Sequence, residues 1–398
     1  MRAALLFTAA LIAAPAAFAQ ANSQYQGGDA AAVTEIEIGQ AHDAAATAVA
    51  SGNVVTAVRD GADASLSNAQ HMDGDASATA DATGWTAHGN IVASSAAVAN
   101  GGTAEIRGST VEIDSEQLAH GDASARSVLV GGYAANAASS ASASGNVGAV
   151  SAEYSELRLL GYQESTGSVS ASVEADHDVV DDQAVAGAVA SANNLSVGGE
   201  TSTILTDMRQ SATGDAVSAS VDLYVGYATD VSGNATANAN SVTVDNQWGY
   251  VNARIAQDAS SDVSADSFVT LGGDFTGFAS AGAYGVGNQA LVSNVGSDTV
   301  IDTLQSNAGD VSANAALSGS GGDAALASAA AYGNSVTGAL CSQCDTDVPG
   351  LQATNEQINT GDVTARSRVI SPYAGTAAAS STAIGNAATY SARPPGGG

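Results

Sequence analysis

Apolar and polar residues alternate over many short stretches of this chain, so that every second position is apolar. Val169, Ala171, Val173 and Ala175 follow one Gly-containing turn in this way, and the positions between them are polar. Alternation with a period of two places successive side chains on opposite faces of a strand. The pattern therefore predicts β-strands with one buried and one solvated face. Helices are not expected, because Lys is absent and Glu is scarce while Gly, Ser, Thr, Asn and Val are abundant.

A glutamine recurs almost evenly along the chain and opens each copy of a repeat. Successive copies lie 46, 47, 46, 47, 47, 48 and 52 residues apart, and most read Gln, three variable residues, Gly-Asp, Val or Ala, Ser or Thr, and Ala. The copies begin at Gln24, Gln70, Gln117, Gln163, Gln210, Gln257, Gln305 and Gln357. A sustained period of this length is typical of stacked repeats. We therefore predict an all-β fold, an elongated β-solenoid with about 47 residues per repeat and with these glutamines in one or a few columns.

An asparagine, usually within Gly-Asn, lies near the middle of each repeat. It is clear at Asn53, Asn146, Asn334 and Asn386, and less regular in the other copies. Because it divides the repeat into similar halves, each repeat is expected to form either one coil or two, giving up to sixteen coils and a rod of roughly 75 Å. Stacked Gln and Asn side chains are expected to form amide ladders. Gly-Asp and Gly-Asn are expected at the corners of the coils.

The first nineteen residues have the features of a secretory signal peptide. Arg2 provides a charged start, an apolar run follows, and Ala17-Phe18-Ala19 is a small-residue cleavage site before Gln20. The sequence thus predicts a signal peptide over 1–19, a β-solenoid repeat domain over 20–392 and a flexible tail over 393–398. No other stretch has as many consecutive apolar residues as a membrane helix needs.

The chain is strongly acidic, with a formal net charge of −30 at pH 7. Such a charge excludes nucleic acid as a natural partner and favours solubility of a β-rod. The acidic residues are spread over the predicted corners, where they could attract divalent cations. The Gly-Gly-x-Gly-x-Asp repeat of known calcium-binding coils is not present, however, so no specific calcium site and no cofactor are predicted.

Two cysteines, Cys341 and Cys344, form a Cys-x-x-Cys in the longest spacer between repeats. In an exported chain the simplest interpretation is a disulfide within a loop. A zinc site at this pair would need two further ligands, and no His follows His177. A redox role would need a strand-to-helix context that the surrounding residues do not offer.

The densest group of titratable residues is the run Asp176-His177-Asp178-Val179-Val180-Asp181-Asp182. Paired carboxylates beside a His could perform acid-base chemistry on a glycan. An exposed corner loop is the alternative, and it is favoured because no second motif accompanies the run. No catalytic residue is therefore predicted.

Aromatic residues recur 14 to 18 residues after the repeat glutamine, next to glycines that indicate a corner. Trp85, Tyr133, Tyr227, Phe275 and Tyr373 represent five copies, and Tyr224 and Phe278 lie close by. Stacked in register, these side chains would form a broken strip along one edge of the rod. Two interpretations remain open: aromatic rings that cover a corner, or glycan contacts, since flat rings suit the apolar faces of sugars.

Several of these features together resemble the holdfast anchor protein D (HfaD) family of stalked alphaproteobacteria. They are the leader, the Gln-x-x-x-Gly-Asp-Val-x-Ala units, the Gly-Asn turns and the final Pro-Pro-Gly-Gly-Gly, and the resemblance runs from about Gln24 to Ala392. The repeats also look like those of curlin, although the curlin spacing is not reproduced. The family resemblance implies an outer-surface protein that attaches an adhesive polysaccharide to the envelope, working with companion outer-membrane anchor proteins and a curli-type secretion pore.

Three functions follow as hypotheses from these observations. The first is a non-enzymatic cell-surface adhesion protein that links the adhesive polysaccharide of a holdfast to the outer membrane. The second is a curlin-like fibre subunit that self-associates. The third is a β-helical enzyme that cleaves glycans.

Overall fold

The computed structural model describes residues 18–273, 275, 277–341 and 349–393, and its regular structure there consists of β-strands. This confirms the predicted all-β class. The strands are β1 (Phe18–Gln26), β2 (Ala30–Ala41), β3 (Ala44–Asp60), β4 (Ala64–Met72), β5 (Ala76–Arg107), β6 (Thr110–Ala119), β7 (Ala123–Glu153), β8 (Glu156–Ser165), β9 (Val169–Val180), β10 (Gln183–Glu200), β11 (Thr203–Ala212), β12 (Ala216–Tyr227), β13 (Asp230–Gln247), β14 (Val251–Ala259), β15 (Asp262–Leu271), β16 (Phe278–Val295), β17 (Thr299–Asn307), β18 (Val311–Ser318), β19 (Gly321–Cys341), β20 (Leu351–Asn359), β21 (Val363–Ile370) and β22 (Tyr373–Arg393).

Each repeat forms one coil with three sides. The first side is a short strand that carries the repeat glutamine, which we call the Gln strand. The second follows the Gly-Asp turn, and the third is a longer strand that carries the asparagine, which we call the long strand. In β5 and β7 the second and third sides run together without a break. All strand pairs are parallel, and the Gln strands form an eight-stranded sheet in the order β1-β4-β6-β8-β11-β14-β17-β20.

The pairing register shows that a repeat contains one coil and not two. Gln24 pairs with Gln70, and Gln70 pairs with Gln117, so equivalent positions one full repeat apart are direct neighbours. The two halves of a repeat face each other across the interior instead of stacking. The expectation of up to sixteen coils is therefore wrong. Eight coils rising about 4.8 Å each give a stack of roughly 40 Å.

The interior consists of two apolar clusters that run along the stack. One is lined mainly by Ala and Val from the strands after the Gly-Asp turns and from the first halves of the long strands. The other is lined by larger Leu, Ile and Val residues from the Gln strands and from the second halves of the long strands. Each long strand changes its phase of burial between these halves; in β10, four successive residues from Ala190 to Asn193 are buried. Narrow side chains suffice because the facing sheets lie close together.

Glycine and aspartate have different structural roles in the Gly-Asp turns: glycine avoids a steric clash, and aspartate accepts a hydrogen bond. A Cβ added at Gly121 or Gly167 would collide with the backbone of the coil before it, so only glycine fits there. The aspartate that follows accepts a hydrogen bond from the next coil: Asp75 Oδ1 from the Asp122 N–H at 2.9 Å, and Asp122 Oδ1 from the Ser168 N–H at 2.8 Å. These carboxylates therefore satisfy backbone groups at the corner.

Some of the sequence predictions fall outside the residues that the structure describes. The predicted signal peptide does so apart from Phe18 and Ala19, which begin β1, and the predicted tail does so after Arg393. Cys344 also lies outside them, whereas Cys341 is the last residue of β19, so the disulfide stays a prediction. In the described ranges no helix is long and apolar enough to cross a membrane.

Candidate functional site

The repeat glutamines form one unbroken hydrogen-bonded column, the Gln ladder, which confirms the predicted column. Each Nε2 donates to the Oε1 of the glutamine one coil earlier. The seven distances lie between 2.7 and 2.9 Å. The interior members from Gln70 to Gln305 are almost fully buried. Buried amides of this kind hold the coils in register, because a slip would leave them without partners.

The asparagines form a second column, the Asn ladder, in which each Nδ2 donates to the Oδ1 of the asparagine one coil later. The seven distances are 2.8 or 2.9 Å. Its members are Asn53, Asn100, Asn146, Asn193, Asn240, Asn288, Asn334 and Asn386. The two ladders therefore have opposite donor directions along the stack.

The ladders also join the two sides of each coil. The second amide hydrogen of Gln163 goes to the carbonyl of Asn194 on the long strand, at 3.1 Å. In return, Asn193 Nδ2 donates to the Ser211 carbonyl on the next Gln strand, at 2.8 Å. Both ladders lie where the two apolar clusters meet. They satisfy backbone groups that would otherwise be buried without partners.

Among the described residues, the first coil and the last coil each leave one parallel edge without a neighbouring strand. At the first coil, Gln24 Nε2 makes one hydrogen bond, to the Val54 carbonyl, whereas interior glutamines make two with the same group. Asn53 Oδ1 at the first coil and Gln357 Oε1 at the last coil accept no hydrogen bond from another described residue. At the last coil, Asn386 Nδ2 donates to the Gln357 carbonyl, and this hydrogen bond is long at 3.5 Å. One end thus offers a Gln donor and an Asn acceptor, and the other end offers a Gln acceptor and an Asn donor.

Four of the five predicted aromatic residues lie exposed or half-buried at one corner, where the strand after the Gly-Asp turn meets the long strand. Trp85 is 76 % exposed and Tyr373 is 82 % exposed, while Tyr133 and Tyr227 are partly covered. Tyr133 and Tyr227 belong to one column, since both pair with Val179 of the coil between them. Trp85 is offset from this column by one residue, because Thr86 pairs with Tyr133.

Two of the predicted aromatic residues, Tyr133 and Phe275, are not free exposed rings. The Tyr133 hydroxyl donates to the Asp181 carboxylate, and this hydrogen bond raises the tyrosine pKa. Phe275 is only 2 % exposed and belongs to the apolar interior, where its ring occupies the space beside Gly322. Phe275 is therefore not an exposed contact residue, and its proposed glycan-contact role is wrong. Its neighbour Phe278, 41 % exposed, faces outward at this corner.

The acidic run around His177 does not assemble a catalytic pair. His177 is fully buried and points into the interior, whereas Asp176 and Asp178 alternate with it and are exposed. Burial lowers the pKa of His177 to about 4, and the Gly131 backbone and the charge of Asp178 oppose this effect only in part. The histidine is therefore neutral at pH 7. Asp181, as described above, accepts the Tyr133 hydroxyl.

A shallow groove of about 350 Å³ lies on the outer face of the Gln strands. It is lined by Gly161 and bordered by Asp114, Glu116, Tyr162 and Arg209. Glu116, Tyr162 and Arg209 are successive members of one column in three coils. The groove offers mixed charges on a flat sheet face.

One cluster was not predicted from the sequence: His71, Asp73 and His120 meet at the corner after the Gln strands of the second and third coils. The histidines are 49 residues apart in the chain, and no local motif connects them. Their positions relative to the repeat, one and three residues after Gln70 and Gln117, would have been a usable signal once one coil per repeat was known.

The sequence profile described as holdfast attachment protein D matches residues 38–310, which is more than half of the chain. The match runs from within β2 to the turn before β18 and so includes most of the coils described above. No individual curated protein and no solved structure matches the chain. The chain belongs to the holdfast attachment protein D family.

Proposed function

We propose that this chain is an exported, non-enzymatic anchor that links an adhesive polysaccharide to the outer membrane at the cell surface. The observation that carries the proposal is the family match over residues 38–310, since that family is described by holdfast attachment. The fold supports a structural role: a rigid stack with continuous internal ladders transmits force along its axis through many parallel hydrogen bonds.

The aromatic corner is the proposed contact surface for the polysaccharide. Trp85, Tyr227, Phe278 and Tyr373 present exposed rings from four different coils. Each stacked ring would contribute on the order of 1 kcal/mol, so a long polymer would be retained by several weak contacts at once. Repulsion is small if the polysaccharide is neutral or basic, whereas an acidic polymer would be repelled by a chain with a net charge of −30.

Companion anchor proteins and a curli-type secretion pore are the proposed protein partners. This part of the proposal rests on the resemblance of the repeats to the holdfast anchor protein D family. The outer groove at Gly161, with its column of Glu116, Tyr162 and Arg209, is a surface of mixed charge that such a partner could use.

A deletion strain tests the proposed anchoring role. Cells that lack this chain should shed adhesive polysaccharide into the medium, and the wild-type gene should restore its retention. A gene in which Trp85, Tyr227 and Tyr373 are replaced by Ala should produce a folded, exported chain that restores retention poorly. The control replaces two exposed aromatics at another corner, Tyr154→Asn and Trp248→Asn, since Asn tolerates their positive φ angles of 49° and 61°.

Two results would count against the proposal, in different ways. Normal retention in the deletion strain would exclude the anchoring function itself. Full restoration by the folded triple variant would exclude the aromatic corner as the contact surface and leave the anchoring role in place.

Self-assembly is a second candidate function, favoured by the open ends of the stack. When the last coil of one chain meets the first coil of another, Gln24 Nε2 can donate to Gln357 Oε1, and Asn386 Nδ2 can donate to Asn53 Oδ1. Both ladders would then continue across the junction with their directions preserved. Sedimentation of the purified chain at increasing concentration distinguishes a fibre subunit from a monomeric rod.

A further inference from the structure

Three potential metal ligands converge at the corner that joins the second and third coils. His71 Nε2 lies 2.7 Å from Asp73 Oδ1 and 3.0 Å from His120 Nδ1, and His120 Nδ1 lies 3.1 Å from Asp73 Oδ1. The three atoms therefore form a nearly equilateral triangle. Each side chain offers one such atom, and all three are at least partly accessible to solvent.

Protons alone cannot satisfy this triangle while Asp73 is ionised. Each of the two nitrogens can carry one hydrogen, so at most two of the three edges can be hydrogen bonds. If both nitrogens donate to Asp73 Oδ1, the contact between the histidines brings two N–H groups together. If one histidine donates to the other, a nitrogen lone pair faces the carboxylate oxygen. A cation just out of the plane of the triangle, within bonding distance of all three atoms, would be favourable for each of them.

Hydrogen bonds of the fold hold the ligands in place before any ion arrives. The Asp73 N–H donates to the Gln26 carbonyl at 2.9 Å, and the His120 N–H donates to the Met72 carbonyl at 2.8 Å. The Tyr25 hydroxyl donates to Asp73 Oδ2 at 2.8 Å, which leaves Oδ1 directed at the histidines.

We propose that His71, Asp73 and His120 form a binding site for Zn²⁺, with water completing the coordination. Imidazole nitrogen is a ligand that suits zinc, whereas calcium and magnesium prefer sites built from oxygen. For bonds of 2.0 to 2.1 Å, the edges of a zinc tetrahedron are about 3.3 Å, so the ligands need to move by only a few tenths of an ångström. The net charge of −30 raises the local concentration of cations. The ion would cross-link the second and third coils at their corner.

Zinc binding to the purified chain tests the proposal directly. We would prepare the chain from Gln20 onward without a histidine tag, strip it with a chelator, and titrate it with ZnCl₂ by calorimetry. Excess Mg²⁺ would saturate the scattered carboxylates. One equivalent of tightly bound Zn²⁺ and a raised unfolding temperature are expected. Co²⁺ should give visible absorption bands of a nitrogen- and oxygen-ligated site.

A double variant and a matched control complete the experiment. His71→Gln with His120→Gln should weaken zinc binding at least tenfold and remove the thermal shift. His42→Gln with His88→Gln changes two other exposed histidines, which contact Asp43 and Gln40, and should bind zinc as the wild type does. Circular dichroism verifies that both variants retain their strands. Absence of stoichiometric zinc in the wild type, or equal binding by the two variants, would overturn the proposal.

Discussion

At the scale of single residues, each interior glutamine of the Gln ladder stabilises the fold through several buried hydrogen bonds. Gln163 donates to Gln117 and to the Asn194 carbonyl and accepts from Gln210. Replacing it by Ala would leave three buried polar groups without partners, each worth about 1 to 3 kcal/mol. We expect Gln163→Ala to lower the free energy of unfolding by about 3 kcal/mol or more. Urea unfolding monitored by circular dichroism measures this loss.

The end of the same ladder provides the control for that variant. Gln24 lies in the exposed first coil, where water can replace the bonds that its side chain makes. Gln24→Ala should therefore cost about 1 kcal/mol or less. Equal losses in the two variants would show that burial of the ladder does not determine its contribution.

His177 is expected to make the fold sensitive to acid. Its pKa is about 4 in the folded chain, below its ordinary value of 6.5, because burial disfavours the charged ring. A lowered pKa means that the stability is present above pH 6.5 and is lost as the pH falls toward 4. The loss amounts to about 3 kcal/mol, at 1.36 kcal/mol for each unit of pKa difference.

Replacement of His177 by Leu, an apolar residue of similar size, should remove this part of the pH dependence. The measurement is the urea midpoint at pH 7 and at pH 4.5 for both proteins. His88→Leu, which changes an exposed histidine, should keep the wild-type dependence. A His177→Leu chain that loses as much stability between the two pH values as the wild type would contradict the expectation.

The residues that recur in every repeat were predictable from the sequence, whereas the positions of residues that occur in a single coil were not. The Gln and Asn ladders follow from period alone, because equal spacing forces equal positions in a stack. The inward direction of Phe275 and His177 depends on where the alternation of a strand continues or breaks at its corner. The direction of each side chain is set by local turn geometry and by the space that a glycine leaves. The His177 ring occupies the space beside Gly131, and the Phe275 ring occupies the space beside Gly322.

At the scale of one element, the sequence left open whether a repeat is one coil or two. Both halves carry an amide residue, small turn residues and alternating strands, so the local pattern is similar. The decisive difference is spatial, since the amides of one half bond to the carbonyls of the other half across the interior. A repeat is thus indivisible, because half of it would leave these groups without partners.

Deletion of whole and half repeats tests this unit. In a chain without residues 210–256, Gln257 would take the place of Gln210 and pair directly with Gln163. We expect this seven-coil chain to fold, with strand content per residue unchanged in circular dichroism and with resistance to protease. Deletion of residues 210–233 alone removes about half a coil and should give a protease-sensitive chain. Folding of both variants to the same extent would contradict one coil per repeat.

At the scale of the whole molecule, period and composition predicted the solenoid, but not its ends or its metal ligands. Terminal coils have the same sequence pattern as interior coils, so nothing local marks them as open. The cluster of His71, Asp73 and His120 exists only because two corners stack one above the other. Such features depend on register between coils, which the sequence determines only after the number of coils per repeat is fixed.

Because the ends of the stack are open, we expect the chain to form filaments by head-to-tail stacking. Head-to-tail stacking extends both ladders, but it brings together chains with a net charge of −30, so we expect assembly to increase with salt as the repulsion is screened. Filaments one coil stack wide should appear in electron micrographs, and sedimentation should depend on concentration.

A charge-neutral double variant at the last coil separates this mechanism from general stickiness. Gln357→Arg replaces the Gln acceptor by a cation that would face the Gln24 amide, and Asn386→Asp replaces the Asn donor by a carboxylate that would face Asn53 Oδ1. Because each mismatched group is desolvated at the junction, assembly should be lost at all salt concentrations. The control, Thr354→Arg with Ser380→Asp, makes the same two changes on the outer faces of the same strands, where both side chains are exposed, and should assemble normally. Filaments from the Gln357 and Asn386 variant as abundant as those from the control would show that the ladders do not continue from one chain to the next.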